Sequence, residues 1–367
     1  MIGSMDPIFL AAGLLLIWLV FWDLFQSIVV PRPSPGWFRI SRYVIRGSWR
    51  FVRRLAHPVS PRSERLLGYF APAITIALLG IWLAALMLGY GLIFYAIRDQ
   101  LQPVPDNLGT AVYFAASCIL TLGFGDVVAT GAAARLAAVI AAATGLGAVA
   151  LVVTYFFSLY ASYQRREVQV VTLESVAGAP PSAVSLLEEY RRLDLTARLP
   201  ELFLEWERWA ADVLDTHVAY PLLGYFRSSH DNLTWIGALG SVLDAASLVL
   251  TTIEDVPRGE AERFRRAGAH LVEDISNLGF RAGGTGIPKT DRSVSEKARL
   301  DHLAFDQACA RLAEAGYRLA PSDDSWLSFS AVRESYASRL EGMAVFWAAR
   351  STSWLGRDEE PRSPAHR

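Results

Sequence analysis

Three apolar stretches within the first 165 residues constrain this chain more than any other feature. Pro7 to Val30 is apolar apart from Asp23, Gln26 and Ser27. As a helix it would be about 36 Å long, enough to cross a ~30 Å hydrocarbon core. Tyr69 to Ile97 carries no charge before Arg98, and Pro72 falls in its first turn, where proline is tolerated. Ala132 to Tyr163 has a single charge, Arg135, near its start. The residues ahead of the first stretch, MIGSMD, lack the basic region of a signal peptide, and the stretch ends in VVPRP rather than at a small-residue cleavage site. It therefore reads as a retained transmembrane helix. Beyond residue 165 the chain has the polarity of soluble protein. The 52% apolar content thus divides into a membrane half followed by a soluble half.

Between the second and third stretches lies Asn107 to Leu120, mostly apolar and too short to span. A segment of this length between two spans predicts a re-entrant helix. Irregular backbone after it is tolerable at membrane depth only where it lines a water-filled path or is buried in protein. Arginine sets the orientation. The linker 31–66 contains Arg32, Arg39, Arg42, Arg46, Arg50, Arg53, Arg54, Arg62 and Arg65 against one acid, Glu64. The positive-inside rule puts it in the cytoplasm, where it also touches anionic lipid. The N-terminus is then outside, the re-entrant segment enters from outside, and the third helix returns to the cytoplasm, capped by Gln164, Arg165 and Arg166. Asp23, near the cytoplasmic end of the first helix, is expected to pair with an arginine of the linker.

The segment after the re-entrant helix reads Thr121-Leu122-Gly123-Phe124-Gly125-Asp126. A cation crossing a membrane must have its lost hydration replaced, and rings of backbone carbonyls can do this. Pointing successive carbonyls at one axis requires alternating backbone conformations, which glycine adopts without steric cost. Gly123 and Gly125 supply that freedom, and Thr121 adds a hydroxyl at the inner end. The carbonyls of Thr121, Leu122, Gly123 and Phe124 would complete a stack of ion sites. The C-terminal end of the 107–120 helix would favour a cation beyond it.

TLGFGD resembles the potassium channel signature T-[VIL]-G-[YF]-G-D. It sits in the arrangement of that family: outer helix (69–97), pore helix (107–120), filter, inner helix (132–163). The resemblance covers about a quarter of the chain. It implies a homotetramer, since one filter per chain needs several chains to close a ring and the family does it with four. It implies K+ as the permeant ion, with no cofactor. Phe124 stands where the family more often has tyrosine, whose hydroxyl braces the filter from behind. Tyr113 and Phe114 stand where the family often has tryptophans that accept this brace. The resemblance thus implies a filter held more by aromatic packing than by hydrogen bonds. Some members pair the aspartate after the filter with a glutamate. Ser117 occupies that position, so Asp126 is expected to face water and other subunits. In similar channels a glycine near Gly145 is the gating hinge, and glycine is one physical cause of helix bends. Close helix packing is the other reading of Gly145. The first helix is an addition to the family's two-span unit. It lacks periodic arginines and is not a voltage sensor of the usual kind.

The expected fold is an all-α membrane protein with three transmembrane helices, a re-entrant pore helix and an all-α cytoplasmic domain. The organisation is a transmembrane helix (1–30), an Arg-rich linker (31–66), a pore domain (67–165), a helical assembly or regulatory domain (166–356) and a disordered tail (357–367). Within the soluble half, Val168 to Val176 fits a strand or a continued helix, and Gly178-Ala-Pro-Pro181 marks a boundary. Helical spacing recurs over Ser182–Leu195, Leu199–Asp215, Thr234–Ile253, Arg258–Asn277, Glu296–Ala315 and Ser328–Trp347. Ser182 and Ser328 are expected N-caps and Gly316 a C-cap. Arg281 to Ser295 reads as a mobile loop. Trp235–Ile253 contains Asp244 and reads as a buried core helix rather than a fourth span.

Net charge is −1, which gives no case for nucleic acid. Cys118 and Cys309 fall on opposite sides of the membrane boundary and read as small buried apolar residues. His217, His230 and His270 lack partners at ligand spacing. No triad, metal site or phosphate loop supports an enzyme. The function expected is a potassium-selective channel of the plasma (inner) membrane, with its regulatory ligand unknown. The alternatives are a non-selective cation channel, or a membrane-anchored sensor with a vestigial pore.

Overall fold

A computed structural model describes residues 6–30, 39–56, 61–228, 230, 232–281, 301–349 and 353–356. Two units divide the chain, residues 1–160 and 161–367.

The first unit begins with α1 (Pro7–Leu24). The Asp6 carboxylate accepts the Ile8 N–H at 3.2 Å, and proline opens the first turn, where its missing donor costs nothing. One π-helical turn, Phe25–Val29, follows. Then come α2 (Ile40–Leu55), α3 (Pro61–Ala96), α4 (Leu108–Ile119) and the start of α5 (Ala132–Ala177). Pro7–Val29, Ser63–Ala96 and Ala132–Ala177 are long and apolar enough to cross a membrane, so the chain is an all-α membrane protein. Glycine sets the closest approaches. A β-carbon at Gly13 of α1 would lie 2.6 Å from the Gly89 oxygen of α3, and one at Gly91 of α3 would lie 2.5 Å from the Val112 side chain of α4. Small residues let helix backbones meet where lipid supplies no hydrophobic drive. Phe94 and Phe114 complete the α3–α4 contact at 4.7 Å.

Two expectations are corrected here. Helix α3 starts at Pro61, so Pro72 lies inside it rather than in its first turn. There the ring removes a donor and leaves the Gly68 carbonyl without its helical partner. Helix α5 continues to Ala177, so of the two readings of Val168–Val176 the continued helix holds, while Gln164, Arg165 and Arg166 do not cap it. The extension is stabilised by Val170, Leu173 and Ala177, which recur at helical spacing and are buried in the core of the second unit. Asp23 is buried, and among the described residues its hydrogen bonds come from Ser41 and Trp82. It accepts the Ser41 N–H at 3.1 Å, the Ser41 hydroxyl at 2.9 Å and the Trp82 indole N–H at 2.7 Å. Its charge thus meets the N-terminal turn of α2, where unpaired N–H groups favour an anion. Arg39 feels that charge through space, while its guanidinium donates to the Ser27 hydroxyl at 3.3 Å. Arg32 and the linker stretches 31–38 and 57–60 lie outside the described residues.

The second unit is helical: the end of α5, then α6 (Ala183–Arg192), α7 (Leu199–Ala219), α8 (Trp235–Thr251), α9 (Gly259–Arg281), α10 (His302–Glu314), α11 (Ser322–Glu334) and α12 (Ala337–Phe346). Ser182 caps α6 by accepting the Ser185 N–H. Helix α8 is the central element, with every residue from Trp235 to Val249 buried. Its one acid, Asp244, takes the Arg333 guanidinium at 3.1 Å and the Tyr336 hydroxyl at 2.6 Å. Those bonds account for a further correction. The expected helix Ser328–Trp347 is two helices, broken at Ser335–Tyr336, and Ser328 lies within α11 rather than capping it. Tyr336 leaves helical geometry at φ −130° with its side chain fully buried against Asp244, which outweighs the helical periodicity. Arg281 is the last residue of α9. The expected loop beyond it, the start of the Glu296–Ala315 helix and the 357–367 tail lie outside the described residues.

Arg166 is also buried, at 1% exposure. It donates to the carbonyls of Leu223 (3.0 Å) and Phe226 (2.8 Å), to Glu167 (2.9 Å) and to His217 Nε2 (3.3 Å). Since guanidinium only donates, Nε2 accepts, and the imidazole proton sits on Nδ1, facing the Val213 carbonyl at 2.8 Å. Burial, and then the adjacent Arg166, push His217 down to about 3.

Candidate functional site

Asn107 opens α4 by accepting the Thr110 N–H at 3.0 Å. The helix closes through a Schellman motif. The Leu122 N–H bonds the Ser117 carbonyl at 2.8 Å, and the Thr121 N–H bonds that of Cys118 at 3.0 Å. This motif needs a left-handed residue after the cap, and Thr121 takes that place at φ +54°. Helix α10 ends in the same pattern with Gly316 at φ +94° in the equivalent place. A β-branched residue there is strained, so Thr121 stands where glycine is the easier residue.

Backbone handedness then alternates. Thr121, Gly123 and Gly125 have φ of +54°, +61° and +80°, while Leu122 and Phe124 between them are not left-handed. Residue-by-residue inversion turns successive carbonyls toward the same side, which an ordinary strand does not do. The two glycines carry the part of this pattern legible in the sequence. The third inversion, at Thr121, has no such signal.

Both ends of the segment are tied. Ahead of α4, β1 (Leu101–Gln102) pairs antiparallel with β2 (Val128–Ala129), Leu101 opposite Ala129 and Gln102 opposite Val128. The Gln100 carbonyl accepts the Thr130 N–H at 2.8 Å, and its side-chain oxygen accepts the Ala134 N–H at 3.2 Å. The sequence reading contained neither strand, since two residues carry no periodicity.

Behind the segment, the Tyr113 ring stacks on Phe124 at 6.1 Å with planes 4° apart. The Tyr113 hydroxyl faces the Asp126 carboxylate. Asp126 is exposed. Phe114 turns the other way, buried against Phe94. Ser117 contributes its carbonyl to the helix end. Gly145, within the unbroken α5, presses on that same end: a β-carbon there would lie 2.1 Å from the Ile119 carbonyl oxygen. One residue earlier the Thr144 hydroxyl meets the Tyr90 hydroxyl of α3 at 2.8 Å, a link the sequence did not announce.

Large apolar residues around this segment remain open in the single chain. Leu122 and Phe124 are 52% and 62% exposed, and on α5 Leu136, Val139, Leu146 and Phe157 are uncovered.

No solved structure matches the chain. It is 23% identical over 283 residues to the uncharacterized membrane protein YdjJ of Bacillus subtilis (strain 168), covering 75% of this chain and 77% of that protein. Residues 81–162, from the middle of α3 through α4 and the alternating segment into α5, match the family model described as an ion channel, and it is this stretch that carries the ion-channel likeness.

Proposed function

We propose that the chain forms a potassium-selective channel as a homotetramer. The carbonyls of Thr121, Leu122, Gly123 and Phe124, with the Thr121 hydroxyl, would line the ion path. K+ is the permeant substrate and no cofactor takes part. The observation that carries this reading is the alternating handedness at Thr121, Gly123 and Gly125. Backbone carbonyls stacked on one side can replace an ion's hydration shell once four chains close the ring. In this reading Gly125, Asp126, Tyr113, Phe114 and Ser117 support the filter. The uncovered apolar residues of α5 and the filter become contacts between subunits. Gly145 is the proposed gating hinge. The arginine bias places the N-terminus outside and the helical unit in the cytoplasm of a plasma (inner) membrane protein, with residues 166–356 as assembly or regulatory domain.

Reconstituted protein tests this by its reversal potential under opposed K+ and Na+ gradients. A K+ over Na+ permeability ratio well above one is expected. A ratio near one makes the protein a non-selective cation channel. Absence of flux from a folded tetramer under every condition would overturn conduction altogether, in favour of a membrane-anchored sensor.

A further inference from the structure

Helix α2 joins the first two spans and carries Arg42, Arg46, Arg50, Arg53 and Arg54 with no acid. At 100° per residue these five fall within about one third of its circumference. A second face is turned into the protein: Ser41 and Trp49 are buried, and Trp49 packs on Phe70 of α3 at 4.9 Å. A third face leaves Phe51 and Leu55 open, 63% and 61% exposed. An uncovered apolar strip beside an arginine band is the pattern of a helix lying in a membrane interface.

The attachments of α2 fix its depth. Asp23 holds its first turn about 9 Å before the end of the first span at Val29, reckoned at the helical rise. Phe70 holds its middle about 7 Å beyond Arg65, the last charge before the apolar run of α3. The two anchors thus lie at similar shallow depth at adjoining ends of two spans. Helix α2 therefore runs along the surface plane rather than across it.

We propose that α2 is a membrane-surface helix that binds anionic phospholipid headgroups through its arginine band, with Phe51 and Leu55 seated among the acyl chains. Five positive charges without an acid complement an anionic leaflet, which draws in each basic residue held at its surface. The proposal rests on the chain spanning a membrane and not on its ion selectivity.

The test uses full-length protein in mixed phosphatidylcholine and phosphatidylglycerol vesicles. A trace of spin-labelled lipid of either headgroup reports the fraction restricted by protein. Wild type is expected to favour phosphatidylglycerol by at least about fivefold, the factor one basic residue supplies at a charged surface. That preference should shrink as salt is raised. The variant R50Q/R53Q/R54Q should lose most of it, and R50K/R53K/R54K should keep it. If the glutamine variant does not assemble, the salt series on wild type decides alone. A preference insensitive to salt, or equal in wild type and the glutamine variant, would overturn the proposal. Equal restriction of both lipids, with Phe51 cross-linking between copies, would assign the face to a subunit contact instead. No ion flux enters the readout, so failure here is distinguishable from failure of the channel reading.

Discussion

Gly145 and Ile119 approach so closely that a β-carbon at 145 would sit 2.1 Å from the Ile119 carbonyl oxygen. Helix α5 thus rests on the end of α4, from which the alternating segment departs. Gly145→Ala must push that end aside, at a cost of about 1–3 kcal/mol typical of overpacking. Gly147, with nothing within 4 Å, is the control, and Gly147→Ala should be near neutral. Thermal unfolding of the purified assembly measures both. A Gly145→Ala variant with unchanged stability and altered open probability would instead isolate a hinge role.

Thr121 and Gly316 occupy the same position of the same helix-ending motif, one strained and one not. Thr121→Gly should relieve roughly 1 kcal/mol of backbone strain while removing the hydroxyl from the proposed ion path. The expected outcome is a higher unfolding temperature together with a lower K+ over Na+ permeability ratio. Gly316→Ala should do the reverse to the second unit, lowering its stability by about 1 kcal/mol with no change in permeation. Equal stability of Thr121→Gly and wild type would show that the threonine is not strained.

What was legible in the sequence depended on how many residues carried each signal. The spans follow from runs of twenty or more apolar residues. Helix α4 follows from a run too short to span, while its cap at Asn107 emerged only in the structure. Asp23 was read by charge alone, which suggested a linker arginine. The structure gives it a helix N-terminus and an indole. These neutral donors lie 18 and 59 residues away in sequence, and no local pattern announces them. The break at Tyr336 was hidden likewise, because its cause is a buried aspartate on another helix.

Tyr113 offers Phe124 a stacking face and Asp126 a hydroxyl, so the two contacts can be separated. Tyr113→Phe keeps the stack and removes the hydroxyl that faces Asp126. Conduction should then decay several-fold faster when external K+ is lowered. Phe124→Tyr restores the hydroxyl more usual in such filters and should slow the decay relative to wild type. Identical decay in all three proteins would remove both contacts from filter stability.

His217 is held neutral by burial and by the Arg166 guanidinium at 3.3 Å, with Glu167 bonded to that same arginine. Its folded-state value of about 3 lies below the ordinary 6.5. A histidine depressed in the fold gains a proton on unfolding. Its contribution to stability is therefore complete above pH 6.5 and is lost as pH falls from there toward 3. One proton sets a maximum slope of about 1.4 kcal/mol per pH unit. Glutamine cannot titrate, so His217→Gln lacks this dependence while the carboxylates of the unit titrate alike in both proteins. Denaturant unfolding of the second unit in the full-length protein, followed from pH 7 to pH 4, should show wild type losing stability more steeply than the variant. Parallel curves across that window would mean that the imidazole is protonated beside Arg166 and that the buried cluster carries its charge in another form.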